Sequence, residues 1–359
     1  MARLGVAGTH VLVVEVPGHW ITRCALHGGM LGRGWREALS AADADVLAVC
    51  GVPGPELSGV IDRLWDQLPG PRVRIDVTGP SQVDDELDRA AAELLDGRGQ
   101  RADARSRPRR PEIAMDHGDM DHGDMDHGDM GMAPEGIPLA DGGEDRDLLE
   151  MDTLHLRLGP VLPYWPAGLV VGCNLNGDVI TEARAFLVDA TADGADPSEP
   201  TALGGALQAA RQCDHVRDLL ALAGWARGAA LARRCRDLLL ARDDENAGLL
   251  LAQLHRGARR SALLRWSLRE VGSLSGDELG RRGLPEAFEG DAYRRLLARL
   301  DAARELMSDP LQPNPFRIGL PVALDVLPQL IGGLDIAAAR LAVAGLGIDT
   351  FLHVEADVA

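Results

Sequence analysis

The chain has 359 residues, 46% of them hydrophobic and 26% charged, with a formal net charge of −18. That is long enough for two soluble domains, each with its own core. The acidic excess argues against nonspecific binding to nucleic acid or to an anionic membrane surface.

Aromatic residues make up only 3%, so aliphatic side chains must carry the packing. Every basic residue other than histidine is arginine. No stretch approaches the roughly 20 apolar residues that cross a bilayer. The N-terminal MARLGVAGTHVLVVEV lacks the long apolar run of a secretory signal. A cytoplasmic protein is expected, reaching any membrane complex through partners. The cysteines Cys24, Cys50, Cys173, Cys213 and Cys235 form no CxxC pair, and free thiols are expected.

Residues 1–96 read as a small α/β domain. His10–Val16 and Ala44–Gly51 are short apolar runs of the kind found in buried parallel strands. Arg72–Val77 is more polar and therefore nearer an edge. Pro55–Leu68 places Leu57, Ile61, Leu64 and Leu68 at helical spacing, with proline in the first turn. Asp84–Leu95 is a second amphipathic helix. The alternation predicts an open, parallel, flavodoxin-like sheet whose ligand site lies at the strands' carboxyl ends. There the sequence has Val16-Pro17-Gly18-His19 and Cys50-Gly51-Val52-Pro53-Gly54. His19, Cys24 and His27 fall in what reads as one glycine-rich loop. Two imidazoles and a thiolate could hold zinc or copper, and packing on a neighbouring domain is the alternative favoured for this loop.

Residues 97–150 lose all periodicity and are expected to be a disordered linker. Six arginines precede the tract MDHGDMDHGDMDHGDM, which starts at Met115. Met115, His117, Met120, His122, Met125, His127, Met130 and Met132 supply thioethers and imidazoles suited to copper or nickel. Perfect identity of the units equally fits an unselected expansion within a linker.

Residues 151–359 read as an α+β domain. Leu154–Leu158, Leu169–Leu175 and Asp178–Val188 are strands of a short antiparallel sheet, with Asn176-Gly177 a hairpin turn. A helical bundle follows, over Arg211–Leu222, Arg227–Leu240, Ala247–Val271, Asp291–Met307 and Pro321–Leu346. His155, His215 and His255 stand alone at helix or strand positions and are expected to be structural or exposed.

Two stretches resemble known proteins. ADADVLAVCGVPGPELSGVIDRLWDQLPGPRVRI, above all Trp65-Asp66-Gln67-Leu68-Pro69-Gly70-Pro71-Arg72, resembles the small, cluster-carrying subunit of respiratory complex I and of nickel–iron hydrogenases. LGPVLPYWPAGLVVGCNLNGDVITEA and GGLDIAAARLAVAGLGID resemble segments of the partner large subunit. Together the likeness covers about residues 10–96 and 151–350. It implies a fusion of both subunits of the quinone module of an NADH-quinone oxidoreductase.

The departures from that family concern its chemistry. The small subunit implies a 4Fe–4S cluster on four cysteines, yet only Cys24 and Cys50 lie in this domain, and a cluster sharing Cys173 is disfavoured. Leu162 replaces the histidine of the family's Gly-Pro-x-His-Pro segment, which lines the quinone pocket. The nickel–iron CxxC pairs are missing. The resemblance therefore implies a noncatalytic accessory or scaffold protein that binds protein partners in a redox complex. One alternative is a copper- or nickel-binding protein using the repeat. Another is a redox subunit whose cluster a partner completes.

Overall fold

A computed structural model of the chain describes residues 8–107, 141–144, 150–189, 204–309 and 311–350. The repeat from Met115 to Met132 lies outside them.

The N-terminal lobe is built on β1 (His10–Glu15), β2 (Arg36–Glu37), β3 (Val46–Cys50) and β4 (Val73–Val77). All pair in parallel, in the order β2-β1-β3-β4. Every side chain of β3 is buried, as its apolar run predicts for a central strand. The more polar β4 is at the edge. One face of the sheet is covered by α1 (Trp20–Gly32) and α3 (Val83–Leu95), through Leu26, Met30, Leu87 and Ala90. The other carries α2 (Pro55–Gln67), through Leu57 and Ile61.

The residues of α1 correct the expected loop. Gly28, Gly29 and Gly32 obscure its pattern, yet Trp20, Cys24, His27 and Met30 are buried at helical spacing. Favourable contacts along that stripe outweigh the weak helix propensity of the glycines. The expected linker is also corrected at both ends. Residues Gly97–Ser106 form a helix, α4, capped by Asp96, whose side chain accepts from the Arg98 N–H. It has no apolar stripe. Polar contacts hold it instead: Gln100 exchanges hydrogen bonds with the backbone of Arg72, at 2.9 and 3.1 Å, and Asp103 takes the Arg72 guanidinium at 3.0 Å. At the far end, β5 (Asp141–Glu144) pairs with β6.

The second lobe begins with an antiparallel sheet in the order β5-β6-β7-β8, comprising β6 (Glu150–Leu158), β7 (Leu169–Asn176) and β8 (Val179–Leu187). The predicted hairpin turns at Gly177, whose φ of +62° suits glycine. Helices α5 (Gly205–Leu222), α6 (Ala226–Leu240), α7 (Asp244–Arg260), α8 (Ala262–Leu268), α9 (Gly276–Arg282), α10 (Ala292–Ser308), α11 (Leu320–Ile331) and α12 (Ile336–Leu346) follow. The expected 247–271 helix breaks at Ser261, whose hydroxyl caps α8. The expected 321–346 helix breaks at Gly332-Gly333, and Asp335 caps the new start. The sheet shares a core with α11 and α12, with β8 lying against α11, while α5, α6, α7 and α10 enclose a second core.

The lobes interlock. Trp20 and Cys24 of α1 are part of the helical core of the second lobe. Val170 and Val188 of the second lobe complete the α2 face of the first. Asp189, just beyond β8, accepts hydrogen bonds from the backbone N–H groups of Glu56 and Leu57, at 2.9 and 3.0 Å. A carboxylate from one lobe thus occupies the positive end of a helix in the other. No described helix is long and apolar enough to cross a membrane.

Candidate functional site at the lobe junction

The carboxyl end of β1 leads into α1, and α1 runs against α5. This brings Glu15 and Arg23 from the first lobe to a row of polar residues on α5. Asp214 is fully enclosed and is the hub. Arg23 approaches it at 2.5 Å, Arg211 at 2.8 Å and Arg236 of α6 at 2.7 Å. Arg23 also pairs with Glu15. Burial opposes the Asp214 charge, but Arg23, Arg236 and Arg211 outweigh it and hold the carboxyl well below the usual carboxylate range.

Two arms extend from this hub. In one, Asp349 lies 2.7 Å from Arg211 and 3.1 Å from His215. Burial and the Arg211 charge push His215 down to about 4, so it is neutral at pH 7. In the other, Arg217 bridges Glu37 of β2 at 2.9 Å and Asp218 at 3.0 Å. Burial pushes the Asp218 carboxyl up to about 6, with Asp214 adding to the effect. His27 is buried beside this arm. Burial and the charges of Arg217, Arg23 and Arg236 keep it neutral. Its Nε2 is 3.8 Å from Glu37, too far for a hydrogen bond.

Of these groups, Glu15, Arg23, Glu37, Arg211, His215, Arg217 and Asp218 line a cavity of about 70 Å³ between the lobes, whose wall includes Pro160 to Ala167. Leu162 is in that wall, together with Tyr164, Glu15, Arg23, His215 and Asp218. The space suits a few waters rather than a large ligand. A wider groove of about 300 Å³ shares Glu37, Tyr164 and Arg217 with it and opens past Met30, Trp35 and Ala229. The arrangement supplies a carboxyl that titrates near neutrality beside fixed guanidiniums, a setting in which a proton can be held or released.

The sequence-predicted metal residues do not assemble. His19 is at the mouth of α1, with its ring against Gly51. A Cβ there would lie 2.3 Å from the imidazole, and the φ of +103° likewise requires glycine. Cys24 points into the helical core and His27 toward Glu37. Among the described residues no group of three histidine, cysteine or acidic side chains is arranged to hold a metal ion. Helix α1 packs on the neighbouring lobe through Trp20 and Cys24.

A 4Fe–4S cluster does not fit the cysteines. Cys24, Cys50 and Cys173 belong to three different hydrophobic cores. All five thiols are buried and free. Burial pushes Cys24 up to about 11 and raises Cys50 further, opposing the thiolate form that binds iron. His155 is exposed and bonds Asn174 at 2.6 Å, and His255 lies 3.3 Å from Asp301. His215, expected to be structural or exposed, is a buried member of the junction.

Sequence reasoning did not single out Glu15, Arg23, Asp214, Arg217 or Asp218. Arg211–Asp218 looks like an ordinary solvated stretch, and only the docking of α1 shows that it is enclosed. No protein-family model matches the chain, and a search of curated proteins finds no match.

Proposed function

We propose that this chain is a noncatalytic accessory or scaffold protein, related in its two lobes to the small and large subunits of the quinone module of NADH-quinone oxidoreductases and nickel–iron hydrogenases. It binds or regulates a redox complex, or assists its assembly. The observation that carries this reading is the content of the lobe junction. Buried ion pairs around Asp214 occupy it, and the Cys24 and Cys213 thiols beside them are sealed in a hydrophobic core. The strand order β2-β1-β3-β4 supports the flavodoxin-like description of the first lobe. Leu162, at the position of the family's pocket histidine, lines the cavity between the lobes, which supports the large-subunit likeness.

The test is metal analysis and visible spectroscopy of the protein purified without oxygen. A colourless protein with substoichiometric iron and nickel is expected. A brown protein with about four irons per chain would overturn the noncatalytic reading and favour a redox subunit. A second reading, copper or nickel binding by Met115–Met132, rests on the density of soft donors in that tract: five of the nine methionines and three of the ten histidines.

A further inference from the structure

The net charge conceals a local reversal. From Arg256 to Arg269 the chain has five arginines and no acidic residue. Arg256, Arg259 and Arg260 fall at i, i+3 and i+4 on the last turns of α7, all exposed. Arg265 and Arg269, on and just after α8, are exposed too. Among the described residues, Arg256, Arg259, Arg260 and Arg265 pair with no carboxylate. Arg269 has only its exposed neighbour Glu270, at 3.5 Å. The nearby Asp301 is engaged by His255 and Arg304.

Large apolar side chains stand among these charges. Short helix α8 is anchored inward by Leu264 and Leu268, which are buried in the helical core. Its outward face presents Leu263 and Trp266, one turn apart, 72% and 73% exposed. An indole and a leucine left in water between arginines match no need of the core. They match an interface whose outer layer is anionic and whose inner layer is apolar. The site is the corner where α7 ends and α8 begins at Ser261, and its run of arginines complements a dense anionic surface.

We propose that the α7–α8 corner docks the protein directly on an anionic phospholipid surface. Arg256, Arg259, Arg260, Arg265 and Arg269 meet the headgroups, and Leu263 and Trp266 enter the interfacial layer. The overall charge of −18 does not forbid this, because at physiological salt charges beyond about 8 Å of the patch are largely screened. The binding is peripheral: no described helix is long and apolar enough to cross the bilayer.

The test is co-sedimentation of the full chain with vesicles rich in phosphatidylglycerol and with pure phosphatidylcholine vesicles. Binding to the anionic vesicles alone is expected, and it should be lost at ~1 M salt, where the screening length falls to about 3 Å. The pair Arg259→Gln with Arg260→Gln should weaken it about 25-fold, or about fivefold per arginine. Trp266→Ala should weaken binding, and Trp266 fluorescence should shift to the blue when vesicles are added. The pair Arg63→Gln with Arg98→Gln, exposed on the other lobe, should leave binding unchanged. Equal binding to both vesicle types, equal loss in the two arginine pairs, or no binding to either vesicle would overturn the proposal. Binding of poly-L-glutamate in the absence of vesicle binding would assign the corner to an acidic protein instead.

Discussion

Arg23, on the first helix of one lobe, places its guanidinium 2.5 Å from the carboxylate of Asp214 on the other lobe, 191 positions along the chain. Asp214 also balances Arg211 and Arg236, so three cations share one fully buried anion, each with a second carboxylate in Glu15, Asp349 or Asp237. Asp214→Asn should cost about 3–5 kcal/mol, because it takes the shared buried partner from three guanidiniums at once. Arg23→Met should cost less, since Asp214 keeps two partners. Urea unfolding followed by circular dichroism checks the order. A smaller loss for Asp214→Asn than for Arg23→Met would contradict the hub role.

Acid should loosen the junction. The folded-state pKa of His215 lies at about 4, against an ordinary value near 6.5. Between those values the unfolded chain binds the extra proton, so stability falls as pH drops. His27 acts in the same direction. Asp218 acts oppositely: its carboxyl, raised to about 6, takes up a proton in the folded state first. Below about 4, loss of the depressed carboxylates Asp214 and Asp349 adds to the fall. Urea midpoints should therefore decline from neutrality toward pH 4.5. Asp218→Asn should raise the midpoint at pH 7 and steepen the decline. An unchanged slope in that variant would count against Asp218 as the opposing group.

Calorimetry with Cu(I), Cu(II) and Ni(II) should show binding by the full chain that disappears when residues 115–132 are removed, with the melting temperature of the metal-free protein unchanged. Equal binding by both chains would take the tract out of any metal role.

Helix α4 is held through Arg72, which is buried against Trp65 with its guanidinium 4.0 Å from the ring centroid. Asp103→Ala should cost about 1–3 kcal/mol by leaving Arg72 without its carboxylate. Limited proteolysis should then cut earlier, within residues 97–107. A cleavage pattern identical to wild type would argue that Gln100 alone holds the helix.

The sequence made legible what rests on apolar periodicity. The all-apolar β3, the stripe of α2 and the Asn176-Gly177 turn carry their own local signals. Helix α4 carries none, because its stability comes from Gln100 and Asp103 meeting a distant arginine. Helix α1 was masked by its glycines, although the spacing of Trp20, Cys24, His27 and Met30 was there to be read. The junction was least legible. Nothing in RQCDHVRD distinguishes a solvated helical face from one enclosed by another lobe, and the pairing of Arg23 with Asp214 is a product of topology. His19, Cys24 and His27 are close in sequence, but Cys24 and His27 lie on a helix that His19 precedes, and the three side chains meet different neighbours.

Asp189 caps the start of α2 from the opposite lobe, and Trp20 is embedded in the reverse direction. Each lobe thus supplies what the other would otherwise lack, and neither is self-sufficient. Severed, the first lobe would present a bare helix terminus and a core face missing Val170 and Val188, while the second would have a hole where the indole sits. Heat should therefore melt both in a single calorimetric transition. A chain with two lobes in outline should then behave as one cooperative unit in its unfolding.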